Sequence, residues 1–480
     1  MESKYVARLL TAVLLLLSCG RLLIAQEAPS RPRAKHHKYK FIDLGTLGGP
    51  DSIIPFGQRI LTEHGIVVGI AETDVPDPFA PNCSSPNCKV QNGFQWRNGR
   101  LTKLNGLYID GASTAQAVNE RGIVVGDAQN GSIDPISGLR EINAVKFNHG
   151  QLENLGTLGG NSSGAISISN SGLVTGWSET SILDSSGVAE THAFLWKDGT
   201  LRDLGTLGGP VSFGQDVNDK GQVIGFSFID STTVHPFFWE NGTMIDLTLG
   251  GTDGDSGFVN SRGQSIGVST LPGDIERHAF LWSRGELHDL GTLGGTRSRP
   301  LALSEDGHVA GMSLTRNNET VHAVLWRNLK IKDLGTVPGD ACSFAWGLNS
   351  KDQVVGISLP EPCDFSVARA FLWEKGSMVD LNTLIPPNSG LQLVYAEAIN
   401  DTGEIVGIGV PPGISPVHVE ALGHAFVLLP ESNDCECQDE QLAHNLAKDA
   451  VNKNVRDAAA EIMRRFGEMH VGKSRRSLKQ

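Results

Sequence analysis

The stretch His192-Ala-Phe-Leu-Trp-Lys-Asp-Gly-Thr-Leu-Arg-Asp-Leu-Gly-Thr-Leu-Gly-Gly209 decides the fold, because close copies of it recur to the end of the 480-residue chain. It opens with a short apolar run rich in aromatic residues. Turn residues follow at Lys197-Asp-Gly-Thr200, and Leu201-Arg-Asp-Leu204 then alternates apolar with polar side chains. These features predict a strand, a tight hairpin turn and a second strand.

Two further strands are predicted between successive hairpins. One is rich in small residues and ends in Asn, as in Ala115-Gln-Ala-Val-Asn119, and the other follows a glycine turn, as in Gly122-Ile-Val-Val-Gly126. The Asn-x-x-Gly pattern between them is typical of a tight antiparallel turn. We name the four strands of a unit a (ending in Asn), b (Gly-x-Val-Val-Gly), c (His-Ala-Phe-Leu-Trp) and d (containing Asp-Leu).

The hairpin strands recur eight times. Copies of strand d start at Phe41, Thr102, Glu153, Arg202, Ile245, His288, Lys332 and Val379. Copies of strand c lie near Trp96, Phe147, Trp196, Trp239, Trp282, Trp326, Trp373 and in His424-Ala-Phe-Val-Leu428. The spacing of 43 to 60 residues between successive d strands is that of a four-stranded propeller blade.

The first strand d has no strand c before it, and the last strand c has no strand d after it. Each end of the array therefore supplies what the other lacks, and pairing them would remove the exposed sheet edges. The sequence predicts an all-β fold over residues 41–430, an eight-bladed β-propeller of four-stranded blades closed by the N-terminal strand. An open β-solenoid is the alternative.

The two ends of the chain differ from the repeats. Residues 1–25 have the charged start and short apolar core of a signal peptide, and residues 26–40 form a basic linker. Leu16-Leu-Ser-Cys19 also resembles a lipidation motif, so a lipid anchor at Cys19 is an alternative to plain secretion. Residues 434–480 predict an amphipathic helix, open to self-association, with a basic disordered tail. We expect an extracellular or periplasmic protein without an integral membrane span.

Charge and cysteine usage narrow the function classes. The net charge is −13, and such an acidic protein is not expected to bind nucleic acids. Six cysteines remain after removal of the signal peptide, which in an exported chain favours disulfides over metal ligation. We expect the pairs Cys83–Cys88 and Cys342–Cys363, with the pairing of Cys435 and Cys437 left open. No metal site and no cofactor is predicted.

The compound pattern of His-Ala-Phe-Leu-Trp, Asp-Leu-Gly-Thr-Leu-Gly-Gly and Ala-x-x-Ile-Asn-x-x-Gly-x-Val-Val-Gly resembles the HAF-repeat family of bacterial extracellular repeat proteins. The resemblance covers residues 41–429 and is clearest at 192–209, 278–295 and 424–426. The second unit departs from it, with Asn143-Ala-Val-Lys-Phe147 in place of the signature. The family carries no established activity, so the resemblance implies an exported repeat protein and no particular chemistry.

Two short motifs resemble those of serine hydrolases. Gly254-Asp-Ser-Gly257 resembles a protease nucleophile signature, and Gly160-Asn-Ser-Ser-Gly164 matches the Gly-x-Ser-x-Gly elbow. Both fall where the other units have their Gly-Gly-x-x-Ser link between strands d and a. A nucleophile elbow requires a strand, a turn and a helix, which this pattern does not provide. Neither motif is predicted to be catalytic.

A histidine opens strand c in five units, and Asn92, Asn143 and Arg369 replace it in the other three. The five histidines are His192, His235, His278, His322 and His424. Adjacent blades would hold them too far apart for one metal ion, whose bonds to His nitrogen are about 2 Å. We expect each to bond a neighbouring loop. The aspartates of Asp-Leu-Gly are expected to accept hydrogen bonds in turns or between blades; they are Asp43, Asp203, Asp246, Asp289, Asp333 and Asp380.

The loops between strands b and c are long and different in every unit, and a rigid scaffold usually carries its binding residues on such loops. The longest are residues 71–92, 127–143, 179–191 and 358–368. We select Asp74, Asp77, Phe79, Asp127 and Asp134 as candidate ligand-binding residues. They predict a secreted or surface-attached, non-enzymatic binding or scaffold propeller that recognises an extracellular polysaccharide or protein. The alternative is a polysaccharide lyase or glycosidase with two carboxylates at the channel mouth.

Overall fold

The computed structural model describes residues 36–81, 83, 85–134, 138–183 and 187–431. The predicted signal peptide, Cys19, most of the basic linker, Cys435, Cys437 and the C-terminal helix lie outside the described residues. The described chain is all-β, with one short helix, α1 (Val419–Leu422), and short 3-10 turns. Within these residues, no helix is both long enough and apolar enough to span a bilayer.

The strands of the first half follow one another closely. They are β1 (Tyr39–Asp43), β2 (Gly48–Ile53), β3 (Val67–Pro76), β4 (Lys89–Arg97), β5 (Arg100–Leu104), β6 (Ala117–Val118), β7 (Val124–Ile133), β8 (Arg140–Asn148), β9 (Gln151–Gly156), β10 (Gly159–Ile168), β11 (Val174–Leu183), β12 (Ala189–Lys197), β13 (Thr200–Asp203), β14 (Ser212–Val217), β15 (Val223–Phe228) and β16 (Val234–Glu240).

The second half continues the same pattern. Its strands are β17 (Thr243–Asp246), β18 (Gly254–Val259), β19 (Ser265–Thr270), β20 (Arg277–Ser283), β21 (Glu286–Asp289), β22 (Gly294–Leu303), β23 (Val309–Thr315), β24 (Val321–Arg327), β25 (Lys330–Gly335), β26 (Cys342–Leu348), β27 (Val354–Leu359), β28 (Arg369–Glu374), β29 (Ser377–Asp380), β30 (Gln392–Ile399), β31 (Ile405–Val410) and β32 (His424–Pro430). The 3-10 turns are Arg316–Asn318, Phe365–Val367, Leu381–Thr383 and Pro416–His418.

Consecutive strands pair in antiparallel fours, in the order a, b, c, d that the sequence predicts. We number the units 1 to 7 from β2–β5 through β26–β29. In unit 8, β30, β31 and β32 are joined by β1 as the fourth strand, with Phe41 opposite Leu428. Units 5 and 6 are further linked by one parallel bridge between Arg277 and Arg297. The N-terminal strand therefore pairs with the last strand, as predicted.

The second glycine of Gly-x-Val-Val-Gly is required by close packing inside each unit. At Gly225 of strand b, an added Cβ would collide with the backbone oxygen of Phe213 on strand a and with the Phe237 ring on strand c. A bulge on strand a, between Gly214 and Asp216, accompanies this approach. The same clash with a strand a oxygen recurs at Gly69, Gly126, Gly176, Gly267, Gly311, Gly356 and Gly407. Only glycine lets the two backbones come this close.

The serine of the Gly-Gly-x-x-Ser link joins neighbouring units where it is present. The Oγ of Ser212, at the start of unit 4, donates to the Gly205 oxygen at 2.7 Å and accepts from the Ala193 N–H of unit 3 at 2.8 Å. The same double contact is made by Ser163, Ser298 and Ser343. The repeated serine therefore satisfies main-chain groups of the neighbouring unit.

The asparagine that ends strand a makes a second link between units. The Asn218 amide donates to the Asn260 carbonyl at 2.9 Å, and the Asn349 amide donates to the Asn400 carbonyl at 2.9 Å. In unit 8, the Asn400 amide donates to the Thr62 carbonyl of unit 1 at 3.0 Å. The last unit thus contacts the first through the same bond that joins consecutive units.

The hydrophobic core lies between neighbouring units. Phe194 and Trp196 of unit 3 pack with Val125, Ala144 and Leu155 of unit 2 in one buried cluster. Similar clusters join other neighbouring pairs. Both predicted disulfides, Cys83–Cys88 and Cys342–Cys363, are present.

We expect Gly356→Ala to destabilise the protein by roughly 3 kcal/mol, because its Cβ would meet the backbone oxygen of Phe344 and the strands must separate. The matched control is Gly57→Ala, where the nearest atom lies 3.9 Å from the added Cβ; its change should stay within about 1 kcal/mol. Urea unfolding measures both variants. Equal effects would contradict this account of the glycine.

Candidate functional site

Unit 1 carries an insertion in strand a. Ten residues separate Ser52 from Thr62, whereas the equivalent separation in units 2, 3, 4, 6 and 7 is six residues. The extra residues form the crossing segment, which we define as residues 55–59. The segment has no counterpart in the repeat. It leaves unit 1 and reaches other units.

The crossing segment contacts three distant units. The Arg59 guanidinium donates from Nε to Asp216 Oδ1 of unit 4 at 2.8 Å. The Gln58 amide donates to the Leu303 carbonyl of unit 6 at 3.2 Å. The Phe56 ring lies edge-on to Trp346 of unit 7, with centroids 6.2 Å apart. The segment therefore holds opposite parts of the molecule together.

Asp216 is the anchor of the crossing segment. Its carboxylate also accepts from the Ser167 hydroxyl of unit 3 at 2.5 Å and from the Val259 N–H of unit 5 at 2.9 Å. Burial opposes the charge on Arg59, but the adjacent Asp216 carboxylate outweighs burial and raises the pKa of Arg59. The partly buried Arg59 is therefore hydrogen-bonded directly to the buried Asp216.

The crossing segment borders a cavity of about 180 Å³, whose other lining residues come from the strand a segments of units 2 to 6. Its polar lining residues are Gln58, Arg59, Gln116, Ser167, Gln215, Asp216, Asp255, Ser256 and Arg299. Gln215 is the bulged residue of its strand, which shows how the repeated bulge aims a side chain at the cavity.

A second ion pair in the cavity is accessible to solvent. The Arg299 Nη2 lies 2.9 Å from Asp255 Oδ2, and their side chains are 49% and 31% exposed. Burial raises the pKa of Asp255, although Arg299 partly offsets this effect. This side of the cavity therefore offers one cationic and one anionic group to a solute.

The serine motifs lie on strands. Ser256, in Gly254-Asp-Ser-Gly257, sits within β18, and its buried Oγ has no hydrogen-bond partner. Gly160-Asn-Ser-Ser-Gly164 lies within β10. Neither serine stands on a turn between a strand and a helix, which is the geometry that a nucleophile elbow requires.

Asp77 and Phe79 both contact Arg140, which was not among the predicted ligand-binding residues. Arg140, from unit 2, donates to both oxygens of buried Asp77 at 2.6 and 2.8 Å. Its guanidinium also lies 4.0 Å from the centroid of the Phe79 ring. The sequence gives no signal that pairs Asp77 with a guanidinium on the neighbouring unit.

The other three selected residues are dispersed. Asp74 is exposed, and Asp134 accepts from the Asn161 amide at 3.1 Å beside a groove between units 2 and 3. Asp127 accepts from the Thr114 hydroxyl at 2.8 Å. Burial raises the pKa of Asp127 to about 6, against the lowering effect of that hydrogen bond. The five residues do not form one site, and their roles in ligand binding stay predictions.

The five histidines of strand c each bond the aspartate of strand d in the same unit, which for His424 is Asp43 on β1. The distances from Nδ1 to the carboxylate run from 2.8 Å for His235–Asp246 to 3.0 Å for His322–Asp333 and His424–Asp43. Asp203 also accepts from the Gly205 N–H at 2.7 Å, which confirms the predicted turn role. Among the described residues, no group of three or more His, Cys, Asp or Glu side chains is placed to hold a metal ion.

No family model and no curated protein sequence matches the chain. Among solved structures, it is similar to a puromycin-hydrolysing peptidase of Mycobacterium tuberculosis (13% identity, TM-score 0.42), covering 80% of this chain and 63% of the peptidase. It is also similar to a prolyl endopeptidase (11%, TM-score 0.45; 78% and 55% covered) and to the β-propeller domain of the Trilobed protease of Pyrococcus furiosus (11%, TM-score 0.40; 68% and 98%). The chain thus spans less than two thirds of the two full peptidases.

These similarities correct one prediction. The solved structures that resemble the chain include peptidases with propeller domains, which contradicts the prediction of a non-enzymatic binding or scaffold propeller, and that prediction is withdrawn. The error arose because the repeat pattern describes only the scaffold and gives no information about catalytic residues. Identities of 9 to 13% carry no activity from those peptidases to this chain.

The His–Asp pairs should make stability depend on pH. Hydrogen bonds to Asp203 and Asp289 raise the pKa of His192 and His278 against the effect of burial. Stability gained from these charged histidines is present below pH 6.5 and is lost as pH rises through their folded-state pKa. Burial acts to raise the pKa of Asp203, but the hydrogen bonds from His192 and Gly205 outweigh burial and lower it. The contribution of Asp203 to folding stability is therefore lost only in acid, below pH 3.8.

We therefore expect the unfolding free energy to fall between pH 6 and pH 9 by less in the variant His192→Asn/His278→Asn than in the wild type. Asparagine is chosen because units 1 and 2 carry it at this position. Exposed His149, replaced by Asn, is the control and should leave the pH profile unchanged. Parallel profiles for the wild type and the double variant would show that the pairs are not charged.

Removal of Arg59 tests the crossing segment. Arg59→Met should cost about 3 kcal/mol, because it leaves the buried Asp216 carboxylate without its cation. The double variant Arg59→Met/Asp216→Asn should recover part of this loss, since no unpaired charge remains. Urea unfolding of the two single variants and the double variant measures the coupling. Strictly additive losses would contradict a stabilising ion pair.

Proposed function

We propose that the protein is an exported, closed eight-bladed propeller of the HAF-repeat type, and that its cavity binds a free amino acid or a dipeptide by its ammonium and its carboxylate. The closed ring is supported by the pairing of β1 with β32 and by the Asn400–Thr62 hydrogen bond. Export is supported by the signal-like residues 1–25 and by two disulfides, which persist in oxidising compartments.

The accessible Arg299–Asp255 pair carries the proposal for the ligand. A free amino acid or a short peptide bears an ammonium and a carboxylate, and it can pair one with Asp255 and the other with Arg299. Neither side chain is then left with an unpaired charge, which would be costly at a partly buried site. Burial raises the pKa of Asp255 although Arg299 and Arg277 act to lower it, so a ligand ammonium would further stabilise the charged carboxylate.

The remaining lining supports a small polar ligand. The cavity of about 180 Å³ is below the size of sites for drug-sized molecules. The Gln58, Gln116 and Gln215 amides and the unpartnered Ser256 hydroxyl can bond peptide groups. Phe56, 55% exposed, offers an apolar surface at the same place.

Calorimetric titration with the dipeptide Ala-Ala tests the proposal. We expect binding of the free dipeptide, with a loss of about tenfold or more in affinity for its N-acetylated and C-amidated forms, since each lacks one charge-assisted hydrogen bond. Asp255→Asn and Arg299→Gln should weaken binding similarly. Arg262→Gln is the matched control, because the Arg262–Asp306 pair is exposed and does not line the cavity.

The same samples are analysed by mass spectrometry after incubation with longer peptides, so that any cleavage is detected alongside binding. Equal affinity for free and blocked dipeptides, or no heat with any of them, would contradict the proposed ligand. Cleavage that persists in Asp255→Asn and Arg299→Gln would place the reaction outside this cavity.

A further inference from the structure

The tryptophan of strand c is only half-buried in unit 5, whereas it is buried in the other units that have it. The buried residues, each at most 6% exposed, are Trp96, Trp196, Trp239, Trp326 and Trp373. Trp282 instead lines a pocket of about 660 Å³ between units 4 and 5. Its ring contacts Phe238 of unit 4, with the ring centroids 5.9 Å apart. Part of the indole is therefore open to a solute.

A side-chain cation lies over the equivalent tryptophan ring in three other units. The pairs, with the distance from the cation to the ring centroid, are Lys146–Trp196 (4.0 Å), Arg202–Trp239 (4.9 Å) and Lys332–Trp373 (4.5 Å). Arg202 and Lys332 belong to strand d, and Ile245 stands at the same position in unit 4. Because isoleucine carries no charge, strand d of unit 4 leaves the half-buried Trp282 without a cation.

A carboxylate lies beside Trp282 in the same pocket. Phe238 and Glu240 alternate with Trp239 on strand c of unit 4, and both line the pocket together with residues of unit 5. Glu240 Oε1 accepts from the Gln222 amide at 2.6 Å. Within the described part of the chain, Glu240 forms no ion pair, and no other side-chain hydrogen bond reaches it. The pocket therefore places an aromatic surface next to an available carboxylate oxygen.

Unit 7 shows an occupied form of the same arrangement. The hydrogen-bonded chain Asn218–Gln222–Glu240 recurs there as Asn349–Gln353–Glu374. The second carboxylate oxygen of Glu374 lies 3.0 Å from Nδ1 of His36. His36 precedes β1 and lies outside the repeat, so only the pocket between units 7 and 8 receives it. The pocket between units 4 and 5 has the same acceptor without this internal donor.

The other charged groups around the pocket do not supply the missing cation. Arg262 of unit 5 is paired with Asp306, with Nη2 at 2.7 Å from Oδ1. Arg284 and Glu286 both lie on the exposed hairpin turn of unit 5 and carry opposite charges. Each of the two arginines therefore has a carboxylate to balance its charge, and Glu240 is left as the carboxylate without a cation.

We propose that this pocket binds the guanidinium group of an arginine side chain from a polypeptide, stacked on Trp282 and hydrogen-bonded to Glu240. A guanidinium suits the two residues because its flat face stacks on an aromatic ring while its N–H groups donate to a carboxylate. Phe238 and Ile245 offer an apolar surface to the methylene groups of the arginine. The pocket shares no lining residue with the proposed dipeptide cavity and does not depend on it.

Calorimetric titration with Nα-acetyl-arginine N-methylamide tests the proposal. Its blocked termini exclude it from a cavity that requires a free ammonium and a free carboxylate. The corresponding citrulline derivative has nearly the same shape without the charge and should bind about tenfold more weakly or worse. Glu240→Gln should weaken binding of the arginine derivative by about fivefold or more. The matched control is Glu374→Gln, whose carboxylate already bonds His36, and it should leave binding unchanged.

Ile245→Arg provides a second test. The new arginine stands where Arg202 lies over Trp239 in the preceding unit, so it should cover Trp282 and abolish binding of the arginine derivative. Thermal unfolding should give a Tm close to that of the wild type, because the repeat already accepts arginine at this position. Undiminished binding by this variant, equal binding of the arginine and citrulline derivatives, or no heat with either would overturn the proposal.

Asp255→Asn distinguishes the two proposed sites. It removes a carboxylate of the dipeptide cavity and should bind the arginine derivative as tightly as the wild type does. Loss of arginine binding in this variant would contradict a separate site between units 4 and 5. Failure of the dipeptide to bind the wild type would contradict only the function proposed for the other cavity.

Discussion

The contact between neighbouring units is the constraint on which this structure depends. A four-stranded sheet cannot bury both of its faces alone, so each unit needs the next one to complete its core. Side chains of the repeat itself make that contact, as Ser212 does between units 3 and 4 and Asn400 does between units 8 and 1. Unit 8 contacts unit 1 through an asparagine hydrogen bond of the kind that joins consecutive units.

The polar contacts that are peculiar to one unit arise where the sequence departs from the repeat. In unit 1, the insertion sends residues 55–59 across to units 4, 6 and 7 and brings Arg59 to Asp216. In unit 4, Glu240 departs from the repeat and accepts from the glutamine that precedes strand b. Unit 1 also holds the Cys83–Cys88 loop. A repeat that is uniform elsewhere makes such local changes recognisable.

Parts of the candidate site were readable from the sequence. The ten-residue spacing between Ser52 and Thr62 is visible beside the six-residue spacing of other units, although its meaning is not. Asp77 and Phe79 were selected from their loop, but Arg140, which contacts both, comes from another unit. Long-range partners are set by which units face each other, and a linear pattern does not record that.

The sequence by itself determined the four-stranded unit, the turn chemistry and the position of each glycine, because these depend on residues a few positions apart. It also determined both disulfides, whose cysteines lie within one unit. The tertiary structure alone decided that the crossing segment reaches Asp216, that Asp255 and Arg299 line one cavity, and that Glu240 and Trp282 line another pocket. These placements depend on how the units pack against one another. That packing brings residues distant in the chain together and shields them from water.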